Sequence, residues 1–91
     1  MEHKPIDNFK RDIVHNLAEI QTDKNMRRFL DVLLTPSEFD ELSRRLQILK
    51  RLVKGKTQRE IAKDLGVGIA TVERGASELR EKQKVKKMIS K

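Results

Sequence analysis

Cysteine is absent from this 91-residue chain, and so are tryptophan and tyrosine. The first absence excludes disulfides and any zinc site built on thiolates. The other two leave three Phe as the only aromatic residues, so the core must come from Leu, Ile and Val. Two histidines, His3 and His15, are too few and too isolated for a metal site and read as surface side chains. Long apolar runs are missing as well. Nothing resembles a signal peptide, and nothing approaches the roughly 20 apolar residues of a membrane-spanning helix. A soluble, cytoplasmic protein is expected, with the nucleoid as its natural setting. No nucleophile–base constellation, Gly-rich phosphate loop or metal cluster is visible, so an enzyme is not expected. Repeats and low-complexity linkers are also lacking.

What the chain does have is positive charge, unevenly placed. Its net charge is +7, but residues 1–42 hold six Lys/Arg against nine Asp/Glu, whereas residues 43–91 hold fifteen against five. The halves therefore carry −3 and +10. A field of that sign on one half suits binding to phosphates. The length fits one small domain, burying only about 60–65% of its unfolded surface. So thin a core gains from burying further apolar surface in a second copy, and a homodimer is expected.

Periodicity predicts an all-α fold. Phe9, Ile13, Leu17 and Ile20 recur at helical spacing, giving an amphipathic helix over about residues 6–21. A polar break at Thr22 precedes a second helix over about 24–33, with Met26, Phe29, Leu30 and Leu33 on it. Thr35, Pro36 and Glu38 spell an N-cap, a first-position proline and the closing acid of a capping box. The helix they start should run to about Lys54, where Gly55 stops it. Phe39, Leu42, Leu46, Leu49 and Val53 form one apolar row along it, with Ile48 and Leu52 in a second. A helix apolar over that much of its surface should pack on two sides, one against its own subunit and one against a partner.

Thr57 to Ala76 carries the most specific pattern. Thr57 and Glu60 form a capping box. Ile61 and Leu65 supply an apolar face, and Ala62 permits close helix crossing. Gly66 provides the left-handed residue that a tight turn needs. Val67 and Val72 anchor a second helix from beneath. Such a helix, turn and helix has the form of a DNA-binding helix-turn-helix; the plain alternative is a helical hairpin of any small bundle. The whole then reads as one domain, a small helical bundle and intertwined homodimer. Residues 1–34 are dimerisation helices, 35–55 a central helix, 57–82 the helix-turn-helix and 83–91 a basic tail. That tail either extends the last helix, forms a short one, or frays and adds phosphate contacts.

Two strings give the chain a resemblance to a known family. They are Leu34-Thr-Pro-Ser-Glu, with Arg45 two turns on, and Gly68-Ile-Ala-Thr-Val-Glu-Arg-Gly, ending at Gly75. A generic helix-turn-helix would place a bulky apolar residue near 75. With Arg74 followed by Gly75, the chain resembles the Trp repressor family over about residues 33–80. The resemblance implies L-tryptophan as corepressor, its indole held between Arg45 and Arg74, and no other cofactor. Guanidinium planes suit that role, since they stack on aromatic faces and pair with carboxylates. It further implies that Gly75 leaves room for the ring, and that Thr35 with the backbone near Val32 and Leu34 reaches the ligand from the other subunit. Binding would then tilt the second helix into register with the major groove. Three departures bear on this. The loop between Gly55 and Gln58 is one residue shorter than in tryptophan-sensing members. Glu78 stands where the family has a serine that meets the ligand's amino group; it either pairs with an ammonium or neutralises Arg74. Glu73 replaces a threonine and Ala62 a lysine, so a different operator is expected.

DNA-contact candidates follow from the motif. Gln58 and Arg59 start the first helix, with Lys63 one turn on; Arg59 either pairs with guanine O6 and N7 or makes a phosphate or intrahelical contact, such as with Asp64. Gly68, Ile69, Ala70 and Thr71 form the first turn of the second helix, where small residues allow close approach and free N–H groups meet phosphate. Glu73 either accepts from cytosine N4 or is a solvated charge. Lys54, Lys56, Lys63, Arg80, Lys82 and Lys84 are collective phosphate candidates. Arg44 and Arg51 are expected to pair with acids on the helix faces, and Arg45 has a structural alternative, an acid across the dimer. The function expected is a dimeric repressor on a palindromic operator. A ligand-independent regulator or nucleoid-associated protein, and a protein-binding helical adaptor, are the competing readings.

Overall fold

Pro5 opens the first helix, where its fixed φ and missing N–H carry no cost, and α1 spans Pro5–Glu19. The structure, a computed structural model, describes residues 4–89; His3 lies outside them. Thr22 caps the next helix, its Oγ1 accepting the Asn25 N–H at 3.1 Å, and α2 spans Asp23–Leu33. Three more α-helices follow: α3, Pro36–Val53; α4, Gln58–Leu65; and α5, Ile69–Glu81. A 3₁₀ helix, Gln83–Met88, comes last, so the basic tail is an ordered short helix over its described part. No strand occurs among the described residues.

The chain divides into two compact units, residues 1–39 and 40–91, with the division falling inside α3. In the first, α1 and α2 contain no fully buried residue. Apolar side chains here lie open instead: Phe9 is 65% exposed, Val14 66% and Val32 88%. Helices this short are marginal alone and depend on burying an apolar face. Arg27 ties α2 to the start of α3, its guanidinium 5.0 Å from the Phe39 ring centre and both oxygens of Asp31 accepting from its Nε at 3.1 Å.

The second unit holds the fully buried core. Ile48 of α3, Ile61 of α4 and Val72 of α5 meet, with Leu52, Ala62, Leu65 and Val67 packed around them. Full burial of a side chain of this size contributes about 1.5–3 kcal/mol, so these three hold the last three α-helices together. Gly75 sets how closely α5 approaches α3: a Cβ there would lie 3.1 Å from Ile48 Cγ2 and 3.6 Å from Leu52 Cδ1. Along α3 the two apolar rows part, except that Leu49, expected in the row with Leu42 and Leu46, sides with Ile48 and Leu52 towards Gly75. Ile48 is buried and Leu49 and Leu52 partly so, while Leu42, Leu46 and Val53 remain exposed. Gly55, at φ 87°, ends α3. The Lys56 N–H reaches back to the Arg51 carbonyl and the Gly55 N–H to that of Leu52, the two bonds of a Schellman cap.

Candidate nucleic-acid interface

The Thr57 capping box forms in full. Thr57 Oγ1 accepts the Glu60 N–H at 3.1 Å, and Glu60 Oε2 accepts the Thr57 N–H at 3.1 Å. With the start of α4 fixed, Ile61 points inward at 0% exposure. Its end is fixed by Gly66 at φ 65° and ψ 35°. The Val67 N–H then reaches the Ala62 carbonyl at 3.1 Å, and Val67 turns into the core. Val72, at 0% exposure, locks α5 against the same cluster. A capped helix, a left-handed glycine and a second helix seated on shared apolar anchors is the geometry of a helix-turn-helix.

Outward-facing groups follow from what faces inward. Arg59 and Lys63, four apart on α4, are both exposed, and among the described residues neither has a carboxylate partner. Gln58 is half-buried at the helix start. Gly68 precedes α5 without a side-chain cap, its carbonyl accepting from the Thr71 N–H. The N–H groups of Ile69 and Ala70 are thus left open at the helix N-terminus. Ile69 is 45% exposed, and Ala70, Thr71 and Glu73 are exposed beside it. Ser77, not singled out from the sequence, shares that face one turn beyond Glu73; its spacing of seven from Ala70 was the available signal.

All the ligand-site candidates but Arg74 are otherwise engaged. Thr35 caps α3, its N–H donating to Glu38 Oε1 at 2.8 Å while its Oγ1 accepts the Glu38 N–H at 3.2 Å. Leu34, half-buried, closes α2 through its N–H on the Leu30 carbonyl. Arg45 lies one turn before Ile48, on the side of α3 that meets α5. Its Nη2 donates to Glu41 Oε1 at 2.8 Å, so its acid partner sits on its own helix. Arg74 is exposed. Glu78 accepts from Lys82 Nζ at 2.8 Å. That hydrogen bond and the Lys82 charge lower the Glu78 carboxyl, with Arg74 contributing least. Lys82 is raised in turn, chiefly by its hydrogen bond to Glu78, and is the one phosphate candidate paired with a carboxylate among the described residues. Gly75 faces Ile48, Leu49 and Leu52, so a packing requirement within the chain accounts for it. Arg51, expected to pair with an acid, instead donates to Gln47 Oε1 at 2.7 Å, the nearer acceptor one turn back.

Residues 10–91 match the family model described as Trp repressor protein. The chain belongs to the Trp repressor family. It is similar to proteins named Trp operon repressor homolog in three organisms. That of Vibrio parahaemolyticus is 38% identical over 88 residues, 96% of this chain and 85% of the relative. That of Vibrio campbellii is 39% identical over 83 residues, 90% and 83% of the two chains. That of Photobacterium profundum is 43% identical over 70 residues, 76% and 65%. The family is one of transcriptional regulators rather than enzymes, in keeping with a helix-turn-helix whose outer side carries cations. No helix among the described residues is long and apolar enough to cross a membrane.

Proposed function

We propose that this chain is a sequence-specific DNA-binding repressor that acts as a homodimer on a palindromic operator. The observation that carries the reading is the pairing of α4 and α5 about Gly66, with Arg59 and Lys63 unpartnered on the first helix and an open N-terminus on the second. Arg59 reads guanine, Ile69 and Ala70 approach thymine methyls, and the lysines neutralise phosphates. Dimerisation covers the apolar faces that α1, α2 and the outer row of α3 leave open, Phe9, Val14, Val32, Leu42 and Leu46 among them. Two copies on a two-fold axis then meet half-sites about 34 Å apart, one turn of the double helix. The relatives' names point to the tryptophan operon as the kind of target.

L-tryptophan is the corepressor proposed, stacked between Arg45 and Arg74 with Thr35, Leu34, Gly75 and Glu78 around it. A second reading, DNA binding without a ligand, is favoured by three contacts: Arg45 on Glu41, Glu78 on Lys82, and Gly75 packed against Ile48. Selecting bound sequences from a random duplex pool, with and without L-tryptophan, tests both. A palindrome enriched only with tryptophan supports the first reading, and one enriched equally without it the second. No enrichment under either condition rejects sequence-specific binding.

A further inference from the structure

Two acids of the helix-turn-helix have work to do within the chain: Glu60 closes a cap, and Glu78 holds a cation. Glu73 does not. It is exposed, and among the described residues its carboxylate meets neither a hydrogen-bond donor nor a cation. Its helical neighbours three and four residues away are Ile69, Ala70, Ala76 and Ser77, none of them basic. Ala70, Glu73 and Ser77 follow one another along the outer side of α5, away from buried Val72 and Leu79. With an alanine before it and a serine after it, Glu73 is the side chain of that row reaching furthest from the helix. A lone negative charge at the middle of that surface, in a half-chain of net charge +10, opposes phosphate binding wherever nothing offsets it.

The major groove offers few groups that could offset it. Only the exocyclic amines of cytosine and adenine donate there, and adenine sets the N7 acceptor beside its amine while cytosine does not. A carboxylate accepts and cannot donate, so cytosine N4 is its best partner: guanine and thymine edges leave it uncompensated, and adenine sets a repelling acceptor beside its one donor. From this we infer that Glu73 is a specificity-determining residue. It selects a cytosine at one position of each half-site and weakens binding to duplexes that lack it. The inference rests on α5 being the helix that enters the groove.

The test compares sequences selected by the full chain with those selected by Glu73→Ala and Glu73→Gln, with circular dichroism to show that all three are equally helical. The wild type should enrich cytosine at one symmetric pair of positions. Replacing that base should weaken its binding roughly 5- to 150-fold. Glu73→Ala should lose the preference and bind unrelated duplex several-fold more tightly. Glu73→Gln should move the preference towards adenine, whose N6 and N7 match an amide. If the wild type selects a defined site and Glu73→Ala selects the same one with the same stringency, the assignment is overturned while DNA binding stands. If the wild type binds no duplex at all, the groove reading falls and this assignment with it.

Discussion

Thr57 fixes where the first helix of the motif begins, and therefore which way Arg59 and Lys63 face. Replacing a threonine cap of this kind by alanine typically costs about 1 kcal/mol, and Thr57→Ala should lower the urea midpoint accordingly without changing the slope of the transition. At the other cap, the Thr35 backbone N–H and then its hydroxyl hold Glu38 below the usual carboxylate range. A group lowered on folding stabilises above its unfolded value, and that contribution is lost as pH falls through the lowered one. Glu38→Gln keeps a capping group without a titration, so its stability should fall less steeply with acid than the wild type's; parallel acid limbs would rule the cap out as the cause. Both caps and Gly66 were legible because each depends on residues within a few positions. The partners of Arg45 and Glu78 were not. Glu78 has Arg74 four residues before it and Lys82 four after, and the structure selects the second. That is the order with glutamate N-terminal, which a helix prefers, and Glu41 before Arg45 follows the same rule.

At the level of elements, helix existence followed from periodicity, and boundaries moved by only a residue or two. The first helix closes at Glu19, with Ile20 as its cap, rather than near residue 21. The basic tail was harder, because Val85, Met88 and Ile89 are too sparse to impose a helical period. Along α3 the two apolar rows were visible in sequence, but which one faces the helix-turn-helix was not, since both are made mostly of Leu, Ile and Val. Ile48 and Leu52 take that side because Gly75 clears space for them. The outer row and the α1 face remain for a second copy. Replacing Phe9 and Ile13 by lysine adds charge to an α1 face that the proposed dimer covers, while removing nothing from the core around Ile61. Sedimentation should then show a single chain where the wild type shows a pair, with operator affinity falling in step. A double variant that still sediments as a dimer would exclude α1 from the interface.

For the whole molecule, the charge split matters more than the net value. An N-terminal half at −3 and a C-terminal half at +10 direct the positive field to the unit that contains α4 and α5. Affinity should therefore fall steeply with salt, by about 10³–10⁵ between roughly 50 and 200 mM if about six to ten phosphates are neutralised. Ligand control was the least legible property, because the pocket that the resemblance implies draws residues from two copies and no single chain displays it. In the proposed complex a pair of these chains grips duplex DNA through Gly66-linked helices. Sedimentation equilibrium of the protein titrated with its selected duplex tests it most directly. A saturated complex of two chains on one duplex is expected, lost when Arg59 and Lys63 are both replaced by alanine. A saturated complex of one chain, or one indifferent to those replacements, would contradict it.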